Sequence, residues 1–205
     1  MRFDLTQSRQ NQLAEHIGNM VERKAKITSF DFLSQDEITA LIQTVSAFDY
    51  RTARPVVGKG VIQDFDICFP APNEGAFADL TLLLEAGCST LLDNHPDLFE
   101  SKLTLNDRAV QKYPANSKGI GIHRDGLRYR NLVFILTLAG QSRLFQCDTR
   151  EGAGRVDIDD SPGRLVLLAA PGFRGLSMPE DRPFHGVDNI QSGRLSIGLR
   201  QEMIA

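Results

Sequence analysis

His123 and Asp125 stand two residues apart in Lys118-Gly-Ile-Gly-Ile-His-Arg-Asp125, and a third metal-ligating side chain, His185, follows far downstream. In an extended strand, residues i and i+2 share a face. An imidazole and a carboxylate can therefore lean toward one point, and the fold can bring a second imidazole to it. Two neutral nitrogens and one anionic oxygen, with other coordination positions left open, suit a non-haem Fe(II) centre. The ordinary alternatives are a structural strand histidine and, for Asp125-Gly126, a turn. They differ in cost, because a carboxylate near a core is unfavourable unless it is paired or binds a metal. The other two histidines have local explanations. His16 falls off the apolar stripe of an expected helix, and His95 precedes Pro96 in a loop.

A second constellation follows His185. In Ser192-Gly-Arg-Leu-Ser-Ile-Gly-Leu-Arg200, alternation puts Arg194, Ser196, Gly198 and Arg200 on one face and Leu195, Ile197 and Leu199 on the other. If that face is interior, its polar side chains need an anionic partner. The planar fork of Arg194 suits a carboxylate, and the Ser196 hydroxyl can add to it. The competing reading is an amphipathic edge strand with its polar face in water.

The elements that must position these residues divide the chain. Residues 8–25 carry Leu13, Ile17 and Val21 at helical spacing. Ser34 with Glu37 forms a capping box for a helix whose stripe is Ile38, Leu41, Ile42 and Val45. Residues 76–92 read as another helix, with Phe77, Leu80, Leu84 and Cys88 on one side, and Val61–Phe69 reads as a strand ending at Pro70. From about 107 onward, short apolar runs alternate with Gly, Pro, Asn and Asp turns. The expected strands are 107–113, 118–124, 131–138, 142–147, 154–158, 163–169, 184–188 and 193–201. Eight such strands predict an α+β domain over residues 1–205. It pairs a mainly helical support (1–106) with a two-sheet jelly-roll core (107–205).

Bulk properties exclude little but weight the choices. The 205 residues carry a net charge of −3, with a pI near 5.8. The basic footprint expected of a nucleic-acid binder is missing globally. Cys68, Cys88 and Cys147 form no CxxC pair and read as reduced core residues. No apolar run approaches the ~18–20 residues needed to span a bilayer, and the polar N-terminus lacks a signal-peptide core, so the expectation is a cytoplasmic protein without a membrane partner. Oligomeric state is open at this level.

The ordered set His123-x-Asp125, His185 and Arg194-x-Ser196 resembles the Fe(II)/2-oxoglutarate-dependent dioxygenase superfamily, whose fold is a double-stranded β-helix of the jelly-roll kind. The resemblance covers roughly residues 107–201. It implies that His123, Asp125 and His185 bind Fe(2+), and that Arg194 with Ser196 grips the far carboxylate of 2-oxoglutarate, with O2 as the other cosubstrate. Tyr113, in the Tyr113-Pro114 segment, resembles a tyrosine that touches the cosubstrate. Arg200 resembles a pocket residue of the nucleic-acid demethylase branch. A retained Asp125 implies hydroxylation rather than halogenation. Arg124, Arg128, Arg130 and Lys118 flank the ligands, and Arg128, Arg130 and Lys118 are the substrate candidates for an anionic group, against a bland reading as solvated turn charges. Residues 51–60 have the Gly and Pro content of a lid. The reading is a hydroxylase of a small metabolite, such as an amino acid or related carboxylic acid. Alternatives are a nucleic-acid oxidative demethylase, which needs aromatic surfaces for an extruded base, and a non-catalytic cupin-like metal-binding barrel, which has no use for Arg194 and Ser196.

Overall fold

The structure, a computed structural model, describes residues 3–58 and 60–203. Three helices, α1 (Gln7–Glu22), α2 (Gln35–Ser46) and α3 (Gly75–Asn94), alternate with five short strands. These are β1 (Ile27–Asp31), β2 (Arg51–Thr52), β3 (Val56–Val57), β4 (Val61–Asp64) and β5 (Asp66–Cys68). The second half holds β6 (Asp107–Tyr113), β7 (Gly119–His123), β8 (Tyr129–Gly140) and β9 (Arg143–Cys147). It continues with β10 (Val156–Ile158), β11 (Arg164–Ala169), β12 (Phe184–Asp188) and β13 (Arg194–Glu202). Every strand expected beyond residue 107 is present, within two residues at each end.

The strands form two antiparallel sheets, in the orders β1-β11-β8-β13-β6-β5-β2 and β10-β9-β12-β7-β4-β3. Alternation decides what each face of the larger sheet buries. Leu132, Phe134 and Leu136 of β8, with Leu165 and Leu167 of β11, join the helices in one core that also holds Leu13, Ile17, Leu41 and Phe77. Their neighbours Val133, Val166 and Leu168 join Leu144 and Val187 of the smaller sheet in a second core between the sheets. The helices thus cover one face of the larger sheet, and the other face packs against its partner sheet. The arrangement agrees with the expected jelly roll.

Local chemistry accounts for the helices. Ser34 and Glu37 exchange the reciprocal hydrogen bonds of a capping box at the start of α2. Arg9 of α1 donates to both Glu37 oxygens and ties the two helices together. α3 is long and apolar enough to cross a membrane by length and composition alone. The sequence reading did not anticipate that run. Here it is a core helix, with Phe77, Leu80, Leu84 and Cys88 fully buried.

The first half, expected to be mainly helical with one strand, contributes five strands, of which β1, β2 and β5 join the larger sheet and β3 and β4 the smaller. The expected strand 61–69 is two strands that join different sheets on either side of Phe65. Residues 51–60, expected as a lid loop, include β2, a two-residue rung on the larger sheet, and β3, which pairs with β4 as a hairpin; Lys59 lies outside the described residues. β7 closes against β12 at Gly119, which has a φ of +77° and where any Cβ would collide with the Val187 carbonyl.

Candidate metal centre

The two histidines meet because their strands are neighbours. His123 at the end of β7 lies directly opposite His185 of β12 in the antiparallel register. Their ring centroids are 4.3 Å apart. Asp125, just past the end of β7, reaches the same place, with Oδ2 3.7 Å from His185 Nε2. One ligand atom from each of the three lies within 4.8 Å of the others. Nδ1 of His123 lies 2.9 Å from the Gly121 carbonyl, and Nδ1 of His185 lies 3.2 Å from the Pro183 carbonyl. Bonds of this kind hold a metal-ligating imidazole in one tautomer, with Nε2 free to coordinate.

Charge states favour the same chemistry. Burial, reinforced by the nearness of His185, lowers the His123 pKa to about 4, so its imidazole is neutral at pH 7. Burial alone would raise the Asp125 carboxyl. His185, Arg200, His123 and Arg182 outweigh it and hold the group below its ordinary value. A neutral ring and an ionised carboxylate are the metal-binding forms.

β13 is central rather than an edge strand, paired with β6 on one side and β8 on the other. Ile197 and Leu199 point into the helix-side core. Arg194 and Ser196 are buried on the inter-sheet face. Ser196 accepts from Arg194 Nη1 at 2.6 Å. Tyr113, opposite Arg194 in the register, is buried with its ring 5.6 Å from the guanidinium carbon. Its hydroxyl donates to Gln111 over 3.3 Å, and burial pushes its pKa up to about 12, so it remains a hydrogen-bond donor. Tyr113, Gln111, Arg194, Arg200 and the three candidate ligands line one inner cavity.

Arg194 has a partner that sequence reasoning missed. Asp160, from the turn between β10 and β11, accepts from Arg194 Nη2 at 2.8 Å and Nε at 3.2 Å. Thr137 accepts from Nη2 at 2.8 Å, and Ser142 accepts from Nε at 3.0 Å. A guanidinium has five N–H donors, so one Nη1 hydrogen remains. Asp160 sits in Asp159-Asp160-Ser161-Pro162-Gly163, which reads only as a turn, and nothing local marks it.

Arg200 ion-pairs with Asp107 over 3.0 Å, and its Nε lies 3.8 Å from Asp125. Asp107 was legible in principle. The register that places Arg194 opposite Tyr113 places Arg200 opposite Asp107. Tyr129 donates to the other Asp107 oxygen over 3.2 Å.

The substrate candidates separate. Arg128 lines an outer cavity of about 470 Å³ in front of the metal ligands. It is also held by Glu202 at 2.7 Å. Arg130 is not on this wall; it pairs with Glu100 at 2.8 Å and donates to the Leu127 carbonyl. Lys118, which precedes β7, is exposed and lines neither cavity. In their place the outer wall carries Arg124 and Arg150, with Val57 and Gly58 of the expected lid segment.

The donor set fits the groups that the motifs imply. Three convergent ligands with fixed imidazole tautomers suit Fe(II), and a buried guanidinium, backed by Ser196, with a tyrosine on the same cavity wall suits a carboxylate. One departure stands out, because Asp160 already compensates the Arg194 charge.

The fold has close structural parallels. A prolyl hydroxylase from Trichoplax adhaerens, solved with a hypoxia-inducible-factor peptide fragment, superposes with a TM-score of 0.66 at 16% identity, over 95% of this chain and 91% of that one. A Pseudomonas putida prolyl-4-hydroxylase gives 0.65 at 18% identity, over 94% and 100%. An oxidoreductase of the 2OG-Fe(II) oxygenase family from Burkholderia pseudomallei gives 0.61 at 11% identity, over 98% and 93%. No protein-family model and no curated protein sequence matches the chain. At these identities the likeness establishes the fold, which is that of the 2-oxoglutarate and Fe(II) oxygenases.

Proposed function

We propose that the protein is an Fe(II)- and 2-oxoglutarate-dependent dioxygenase that hydroxylates a small metabolite, such as an amino acid or a related carboxylic acid. The observation that carries this reading is the convergence of His123, Asp125 and His185 at one end of a cavity whose other wall holds Arg194. When bound, Fe(II), 2-oxoglutarate and O2 supply the oxidation, with the cosubstrate released as succinate and CO2. The chain supplies geometry and exclusion of water, as is general for cofactor chemistry.

Each residue has a role in this scheme. His123 and His185 present Nε2 while their Nδ1 atoms are occupied, and Asp125 adds the anionic oxygen. Arg194, through its remaining Nη1 hydrogen, with the hydroxyls of Ser196 and Tyr113, receives the far carboxylate of the cosubstrate. Arg200, 3.8 Å from Asp125, balances that carboxylate on the side away from the histidines. The prolyl hydroxylase neighbours act on peptides or prolyl groups by their names, but the small outer cavity favours a small molecule.

The reading is tested by adding 2-oxoglutarate to the Fe(II) protein without oxygen. A weak visible charge-transfer band is expected, and its absence in the wild type refutes the reading. Succinate release, screened across amino acids, organic acids and methylated nucleosides, then identifies the substrate.

A further inference from the structure

The outer cavity has an unbalanced charge. Arg124, Arg128, Arg150 and Arg200 line it, and the only carboxylate on its wall is Asp125, a candidate metal ligand. Arg128 is matched by Glu202 and Arg200 by Asp107. Arg124 and Arg150 are not matched. Among the described residues neither makes an ion pair or a hydrogen bond, and the Arg124 Nε is buried without a partner. Both lie against Phe184, the residue before His185. The Arg124 guanidinium sits 3.8 Å from the ring centroid and that of Arg150 5.8 Å.

Arg182 adds to the crowding. Its guanidinium donates to the Asp125 carbonyl from a neighbouring cavity that shares Arg124 with this one. Cations brought together on one wall repel each other, and a buried donor without a partner costs about 1–3 kcal/mol. Such an arrangement is relieved when an anion arrives. Val57, Ile67, Phe69 and Ile120 give the wall apolar ground beside its neutral polar residues Gln63, Gln111 and Tyr129.

We propose that the outer cavity receives an organic anion, with Arg124 and Arg150 holding its carboxylate or phosphate group and an apolar body lying over Ile67, Phe69 and Ile120. This names the substrate class of the site assigned above, so its catalytic meaning rests on that assignment, although the binding does not. Phe184 directs the two cations: stacking fixes the Arg124 plane, which leaves the guanidinium edges as donors. A nucleic-acid strand fits less well, because a guanidinium already stacks on Phe184 and the chain carries a net charge of −3.

The test is calorimetric titration of the metal-free protein with hexanoate, hexyl phosphate, hexan-1-ol and an eight-nucleotide oligothymidylate. The wild type should bind one or both anions at least tenfold more tightly than the alcohol, and their ratio distinguishes carboxylate from phosphate. R124Q/R150Q should lose at least tenfold in anion affinity, while R194M should retain it. Because Arg124 packs on Phe184, the exposed R150Q alone serves as a second variant, with a severalfold loss expected. Anion affinity unchanged in R150Q and in the folded double variant overturns the proposal. So does loss of anion binding in R194M shown by circular dichroism to be folded, or tighter arginine-dependent binding of the oligonucleotide. A charge-transfer band without arginine-dependent anion binding removes this inference alone; the converse removes only the oxygenase reading.

Discussion

At the inner end of β13, Arg194 donates to Asp160, Thr137, Ser142 and Ser196 and is almost wholly enclosed. Six residues along the same face, Arg200 holds Asp107 but leaves its Nε without a hydrogen-bond partner. Beyond it Arg124 and Arg150 pair with no acid. One strand therefore joins a region whose donors are nearly saturated to a region whose donors are left open. In a low-dielectric interior a satisfied network is rigid, and an unsatisfied group is a cost. The inner end thus contributes stability and fixes geometry without a ligand. The outer end carries a deficit that a ligand can fill.

That contrast can be broken at several points. The largest effect belongs to the ligands between the two ends. Asp125→Ala should weaken Fe(II) binding by more than the ~10–100-fold typical of losing an outer partner of a metal ligand. Metal titration measures this, with circular dichroism confirming the fold. Retained affinity would show that the three residues are not the metal site.

At the saturated end, Arg194→Met strands the Asp160 carboxylate, and removing one partner of a buried pair costs ~3–5 kcal/mol. Denaturant unfolding should show that loss, and R194M/D160N should recover part of it without restoring use of 2-oxoglutarate. If the single variant is as stable as the wild type, the inner network is not structural.

A saturated pair far from both ends calibrates this. Burial works against the Glu37 charge, yet hydrogen bonds from Arg9 and Ser34 hold its pKa below the usual 4.5. A depressed carboxyl contributes stability that is present above its unfolded pKa and lost as pH falls through the folded one. Glu37→Gln should therefore cost ~1–3 kcal/mol near pH 7 and flatten the acid limb of the stability profile. Activity should be unchanged.

Smaller effects sharpen the comparison. Asp160→Asn removes the charge that competes for Arg194, so 2-oxoglutarate should bind on the order of fivefold more tightly, about 1 kcal/mol, while the ligand-free protein becomes less stable. Weaker binding would mean that Asp160 serves by orienting Arg194. At the open end, Arg150→Gln should change unfolding stability by no more than ~0.5 kcal/mol, the range for exposed positions.

Much of this was legible in the sequence, for reasons that can be traced. Period-2 alternation reports which residues share a face, so Arg194, Ser196 and Arg200 could be placed together, and with them the eight later strands. The capping box at Ser34 is local chemistry and was readable for the same reason. Local pattern does not report which strand meets which. β1 is a half-buried strand between two helices that exists through β11, a partner distant in the chain, while β2 and β3 are two-residue rungs too short to carry a period-2 pattern. Asp160 is a turn residue whose role depends on where β10 and β11 fold back. Arg130 and Lys118 lie off the cavity wall, because nearness in sequence to His123 is not nearness in space. Arg150, distant in sequence, arrives on the wall instead.

The position of β13 also bears on how the chain is made. Of the thirteen strands among the described residues it is the latest in the sequence, yet it lies between β8 and β6 in the middle of the larger sheet. Until it emerges, β8 and β6 each lack a neighbour, and the apolar stripe of α3 lacks a finished surface to cover it. β1 likewise waits for β11, with Ile27 pairing Leu168 across most of the chain. Pairings this distant are slow to form, and the exposed edges of incomplete sheets invite aggregation. The segment that brings Arg194 and Arg200 to the site is thus the one that completes the sheet, and a nascent chain arrested before it would be a client for chaperones rather than a partly active protein.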